Sequence, residues 1–177
     1  MEWQAFVHEN TNYYLSHLRS RTMVYEQPAK GGNPARKYEV EVEFSCHCFT
    51  RGLPEEGPVD HKLLYSDEKR IFDFQRYRLS KLLPGIVEEL PNRACFHTDT
   101  RQDNFFSLDQ QNGEETYEIY FKADRVGKGR LKLFVQSAYL RDKQHGSRPK
   151  NYKIGFFVIL YNTLHQKPIK VCRGYKR

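Results

Sequence analysis

The clearest pattern along the chain is a strict two-residue alternation over residues 37–49, KYEVEVEFSCHCF. Tyr38, Val40, Val42, Phe44, Cys46 and Cys48 fall on one side, and Glu39, Glu41, Glu43, Ser45 and His47 on the other. That period predicts a β-strand with one buried and one wet face, as antiparallel sheets show. Ahead of it, Trp3, Phe6, Val7, Tyr13, Tyr14 and Leu18 form a ragged apolar stripe, broken by Asn10-Thr11-Asn12, which predicts a helix over residues 1–20. PAKGGNPAR (28–36) reads as a mobile Gly/Pro loop, and RGLPEEGPVD (51–60) as a second loop.

A second helix is expected after Asp73, a suitable N-cap. Leu79, Leu83, Ile86 and Leu90 recur at helical spacing with Leu82 and Val87 beside them. Pro84 interrupts this stripe, so the helix should kink or restart there, and Pro91-Asn92 should end it. The remainder reads as sheet. ACFHT (94–98) and NFFSL (104–108) are short strands. TYEIYFKA (116–123) places Tyr117, Ile119 and Phe121 inward and Glu118, Tyr120 and Lys122 outward. RLKLFVQSAYL (130–140) alternates Leu131, Leu133 and Val135 with Lys132, Phe134 and Gln136. KIGFFVILY (153–161) is apolar on both faces and reads as a central strand covered on both sides. The fold class expected is α+β: an antiparallel sheet of five to six strands packed against two or three helices. At 177 residues the chain should form a single domain, with 1–36 as N-terminal helix and loop and 37–177 as the core.

Composition changes this picture in two ways. Apolar residues make up only 38%, but twelve Phe, twelve Tyr and one Trp supply large buried areas, so the core should be built from rings. Net charge is +7, which favours an acidic partner. The charge is concentrated late: residues 122–177 hold fifteen Lys and Arg against Asp124 and Asp142 alone. No run is long and apolar enough for a membrane span, and MEWQAFVHEN lacks the character of a signal peptide, so a cytoplasmic location and no membrane partner are expected. In that compartment Cys46, Cys48, Cys95 and Cys172 should be free thiols.

Three places could carry chemistry. On a strand, Cys46 and Cys48 would face the core while His47 faced away, so the three would not converge on one metal ion; no cofactor is expected. His97, in a polar stretch running to Asp103, has the side chain best suited to proton transfer near neutral pH. The third place is a basic and aromatic surface: Lys122, Arg125, Arg130, Lys132, Gln136, Ser137, Tyr139, Arg141, His145, Arg148 and Lys150, with Tyr120 and Phe134 on the same sheet face. Cations interleaved with exposed rings are what RNA recognition uses, because phosphates meet Lys and Arg while unstacked bases meet aromatics.

From residue 73 onward, a helix followed by an antiparallel sheet resembles the small RNase fold of RelE-type toxins and the barnase, EndoU and colicin E5-like nucleases. The strand LKLFVQSAY (131–139) is similar to a late strand of phage-associated members, which ends in a small hydroxyl residue, a small residue and Tyr; Ser137 and Tyr139 match that end. The whole chain is also similar to proteins of bacterial genomes and prophages, which implies a toxin or phage–host conflict role. The resemblance implies metal-independent cleavage, in which the 2′-hydroxyl attacks its own phosphate. His97, chosen by position and chemistry, would be base or acid; Lys122, chosen likewise, and Arg141 would steady the phosphate; Tyr139 would position or protonate. The expectation is therefore an RNA-binding protein, with endoribonuclease as its sharp form. A non-enzymatic protein that uses the same basic surface to hold nucleic acid, a host protein or an inhibitor is the alternative, and a zinc-stabilised structural protein is a third reading.

Overall fold

The computed structural model describes residues 2–65, 70–98, 105–113, 115–127, 129–141 and 152–169. The N-terminal stretch is a hairpin rather than the expected helix: β1 (Phe6–His8) pairs antiparallel with β2 (Thr11–Tyr13). Glu9 and Asn10 turn between them with φ of 47° and 60°, the left-handed pair that a tight hairpin requires. Of the break at Asn10-Thr11-Asn12, Asn10 is thus the second turn residue, and Thr11 and Asn12 already belong to β2. A short 3₁₀ turn, Ser16–Leu18, leads into β3 (Arg21–Gln27), which the loop around Gly31 and Gly32 joins to β4 (Arg36–Phe44).

The alternation of β4 stops at Phe44, and Cys46–Cys48 wind into a 3₁₀ turn capped by the Ser45 side chain. Both cysteines are buried all the same. A small sheet follows, with β5 (Thr50–Arg51) and β6 (Leu64–Tyr65) on either side of β7 (Arg70–Phe72). Asp73 caps α1 (Phe74–Ser80), its Oδ1 accepting from the Arg76 amide at 2.9 Å. Pro84 falls in the first turn of α2 (Leu83–Glu88), so the helix restarts there as its missing N–H demands, and Leu90–Asn92 closes the segment as a 3₁₀ turn. The strands β8 (Cys95–His97), β9 (Phe105–Asn112), β10 (Glu115–Arg125), β11 (Arg130–Leu140) and β12 (Tyr152–Ile154) precede α3 (Phe156–Leu164).

Among the described residues the main sheet has seven strands, in the order β12-β8-β9-β10-β11-β4-β3. The five- to six-stranded antiparallel sheet expected from sequence is therefore corrected. The sheet is mixed, because β11 runs parallel to β4 with Leu131 opposite Val40 and Val135 opposite Phe44. Strands outweigh the three short α-helices. The reason lies in connectivity: β8 to β11 pair with their chain neighbours, whereas β4 reaches β11 only after six strands, α1 and α2 have intervened.

The last run is a further correction. KIGFFVILY divides at Gly155 into β12 and α3. It is apolar on both faces because the helix is held against the sheet, with Phe156, Ile159 and Leu160 buried and Val158 turned outward at 50% exposure. Helices α2 and α3 cover one sheet face: the Tyr25 hydroxyl donates to the Val87 carbonyl at 2.9 Å, and its ring meets Phe156 edge-on at 4.9 Å. A second cluster joins the N-terminal hairpin to β7 and α1 through Phe6 stacked on Phe72 at 4.1 Å and Tyr13 edge-on to Tyr77 at 5.5 Å. The core is not built from rings alone, which corrects the expectation from composition: among the described residues twelve buried Phe and Tyr pack with seventeen buried Leu, Ile and Val.

Candidate functional site

The face of the sheet away from α2 and α3 carries the polar positions of β10 and β11. Its shape is set by an irregularity. Tyr120 lies opposite Ser137 and Phe121 opposite Val135, which leaves Gln136 as an extra residue in β11. Such a bulge re-aims the positions beyond it. Ser137 and Tyr139 consequently share the face of Tyr120 and Glu118, while Ala138 joins Ile119 in the core.

Beyond Val135, β11 has lost its neighbour β4, and the Cys46–Cys48 turn and α1 take that place. The Ser45 amide and the Cys48 thiol both donate to the Val135 carbonyl, at 2.9 and 3.6 Å. From α1, Arg76 donates to the carbonyls of His47 at 3.1 Å and Thr50 at 2.8 Å. Its guanidinium carbon lies 5.2 Å from the centroid of Tyr139, a cation over a ring. Burial pulls the guanidinium below its ordinary pKa, against the opposing pull of Asp73. The Tyr139 ring in turn stacks on Tyr120, 5.8 Å between centroids and 16° between planes. Beneath them Glu118, 1% exposed, accepts from Arg141 Nε at 2.8 Å and from the Tyr120 hydroxyl at 2.9 Å. Burial, reinforced by the Tyr139 and Glu118 oxygens, drives the Tyr120 phenol well above its ordinary value; the hydrogen bond that Arg141 donates to Glu118 raises the Arg141 pKa. Tyr120 is therefore a neutral donor and Arg141 a fixed cation across the physiological range.

Of the residues singled out from sequence, Tyr120, Tyr139 and Arg141 meet here, with Ser137 opposite Tyr120. Lys122 lies one same-face step along β10, its Nζ 5.9 Å from the Phe134 centroid and 3.8 Å from Asp124. Lys132 is bound to Glu43, and Arg130 lies opposite Glu39, so on this side the glutamates of β4 balance the cations of β11. Arg125 is exposed and bonds the Gly127 carbonyl, and Gln136 is the half-buried bulge residue. His145, Arg148 and Lys150 lie outside the described residues, as does Cys172.

His97 is not brought to this cluster. It lies opposite Phe106, which lies opposite Phe121, so its row is the core-facing one. Its ring stands edge-on to Phe106 at 5.4 Å with 6% of the residue exposed. The constellation of His97 with Lys122, Tyr139 and Arg141 is accordingly split between the two sheet faces.

Two members of the cluster escaped the sequence reading. Glu118 reads as an ordinary outward acid on an alternating strand. Arg76 belongs to a helix whose sequence holds no sign that it ends over a strand ring. The three described cysteines are buried thiols outside any disulfide. Burial pushes the Cys95 thiol up to about 12 and Cys48 higher still, which removes the thiolate either would need as a nucleophile. Among the described residues no three His, Cys, Asp or Glu converge as metal ligands, and no helix is long and apolar enough to cross a membrane.

Comparison with known proteins places the chain at the level of family. The YjaZ family model matches residues 5–164, from the N-terminal hairpin to the end of α3. The chain belongs to the YjaZ family. No curated protein and no solved structure matches it. Membership thus rests on residues 5–164 as a whole, and the resemblance of the C-terminal part to small RNase toxins is not what the match returns.

Proposed function

We propose that this YjaZ family protein binds single-stranded RNA on the open face of β10 and β11. The observation that carries the reading is the stack of Arg76, Tyr139 and Tyr120, with Arg141 held beside it by the buried Glu118. A preformed ring pair offers a base a stacking platform of any sequence, and a fixed guanidinium offers a phosphate two parallel donors. Phe134 and Lys122 repeat the ring-and-cation pairing one step further along the strands. Cleavage through the 2′-hydroxyl would need a proton acceptor at this face, but His97 belongs to the other and the buried Glu118 carboxylate is already engaged by Arg141 and Tyr120. The function supported is therefore binding rather than hydrolysis.

Fluorescence anisotropy with a labelled single-stranded oligonucleotide tests it. Tyr120→Ala and Tyr139→Ala should each weaken binding by about 1–3 kcal/mol, the usual worth of a base–aromatic stack. Total RNA incubated with the protein in EDTA should stay intact. Unchanged affinity in both variants, with native circular dichroism, would remove the proposal.

A further inference from the structure

A second cluster lies on the opposite side of the molecule, where the end of α3 meets the β3–β4 hairpin. The Arg36 guanidinium carbon is 4.7 Å from the centroid of Tyr161, and the Lys167 ammonium is 4.9 Å from that same centroid and 3.3 Å from the Tyr161 hydroxyl. Two cations thus share one ring. Neither meets a carboxylate among the described residues, because the nearby Glu26 is taken by Lys37 at 2.7 Å. The Tyr38 hydroxyl donates to Gln27 Oε1 at 3.2 Å, which turns the amide oxygen towards Tyr38 and leaves its NH₂ as donor. Lys167 is met by the Tyr161 hydroxyl and Arg36 by the Tyr38 hydroxyl, so the positive charge gathered here is held by neutral oxygens alone among the described residues.

Arg36, Tyr161 and Gln27 line a cleft of about 240 Å³ together with Asn33, Phe157 and Val158, while Lys167 reaches the same Tyr161 ring. One wall is polar and cationic; the other is apolar, with Val158 half exposed and Phe157 beside it. An oxyanion with several lone pairs satisfies the first wall, and a flat apolar group satisfies the second. A cleft with one apolar wall and a few convergent polar groups is the ordinary form of a small-ligand site.

We infer that this cleft is a phosphate site for a nucleotide unit, with the phosphate on Arg36, the positive charge of Lys167 on the shared Tyr161 ring adding to its hold, and the base against Phe157 and Val158. The phosphate can come from a free mononucleotide or from one residue of a nucleic-acid strand. This site does not depend on the RNA-binding face, which lies on the other side of the sheet.

The test is a titration followed by nuclear magnetic resonance, using inorganic phosphate, uridine monophosphate and a short oligouridylate in turn on the full chain. The Val158 methyl and Tyr161 ring signals should shift with the mononucleotide, and inorganic phosphate should compete. Arg36→Gln should weaken binding about tenfold or more, the loss of a charge-assisted hydrogen bond, and Lys167→Gln should weaken it less. Binding of the mononucleotide identifies the free source; binding of the oligonucleotide alone, still lost in Arg36→Gln, identifies the strand. A Tyr120→Ala, Tyr139→Ala double variant should leave the shifts intact, which separates this site from the other face. Signals that stay still with all three probes, or binding unaltered in both folded cation variants, would overturn the inference.

Discussion

At the residue scale, the chemistry of this protein is carried by pairs that lie far apart in sequence. His17 shows how such a pair ties the fold to pH. Its Nε2 lies 2.8 Å from Ser80 Oγ, and that hydroxyl donates its own proton to the Tyr77 carbonyl at 2.7 Å. The imidazole must therefore donate to Ser80, which is no arrangement for activating a serine. Burial lowers the His17 pKa below 6.5, helped by Lys81 and Arg21 and opposed by the Tyr14 carbonyl. The unfolded chain then binds more protons here than the folded one, so the stabilisation is full above pH 6.5 and is lost as the pH falls below it. Urea unfolding across that range should show the decline. His17→Gln keeps an amide donor but cannot titrate, and its curve should be flatter; parallel curves would mean that other groups set the dependence. Residues of this kind divide sharply in how legible they are. Tyr120, Tyr139 and Arg141 could be read from alternation and charge, because a strand's outward row is local information. Glu118 and Arg76 could not, because their roles exist only once α1 has docked on the free end of β11.

At the scale of elements, the same distinction decides which predictions from sequence held. The restart at Pro84 and the cap at Asp73 are covalent or nearest-turn effects, and both appear where the pattern put them. β10 and β11 followed from alternation within short polar turns. KIGFFVILY misled because a helix apolar on most sides and a strand covered on both faces look alike over nine residues. The deciding residue is Gly155, which caps α3 with φ of −74° and ψ of 138°, an extended conformation open to any residue. It supplies no side-chain cap, and a Cβ added there would meet Val158 Cγ2 at an ordinary 3.7 Å. Gly155→Ser should therefore stabilise the protein by roughly 0.5–1 kcal/mol, through a capping hydroxyl and a less flexible unfolded chain. Thermal melting would register this as a rise of a few degrees. A fall would mean that the backbone at this boundary is not free to accept a side chain.

At the scale of the whole molecule, the parallel pairing of β11 with β4 explains both the misjudged sheet and the distribution of charge. Sequence neighbours suggest an antiparallel meander of basic strands with its acidic strand elsewhere. Instead β4 sets Glu39, Glu41 and Glu43 alongside Arg130, Lys132 and Phe134, and Lys132 is bound by Glu43. The net charge of +7 thus overstates what the open face presents to a polyanion. On the proposed surface the available cations are Lys122 and Arg141, with Arg76 behind Tyr139. Two or three neutralised phosphates correspond to a slope of about −1.4 to −2.1 in log affinity against log salt, at roughly 0.7 per phosphate for a single strand. If binding runs through this face, Arg141→Gln should reduce that slope by about 0.7. Lys132 is paired with Glu43 as Arg141 is with Glu118, but it lies opposite Asp124, away from the ring pair, so substituting it should change the slope less. Anisotropy titrations at several salt concentrations distinguish the cases. A much steeper wild-type slope, insensitive to Arg141, would mean that RNA is held by the diffuse positive charge of the chain, and the ring pair would lose its claim to be the site.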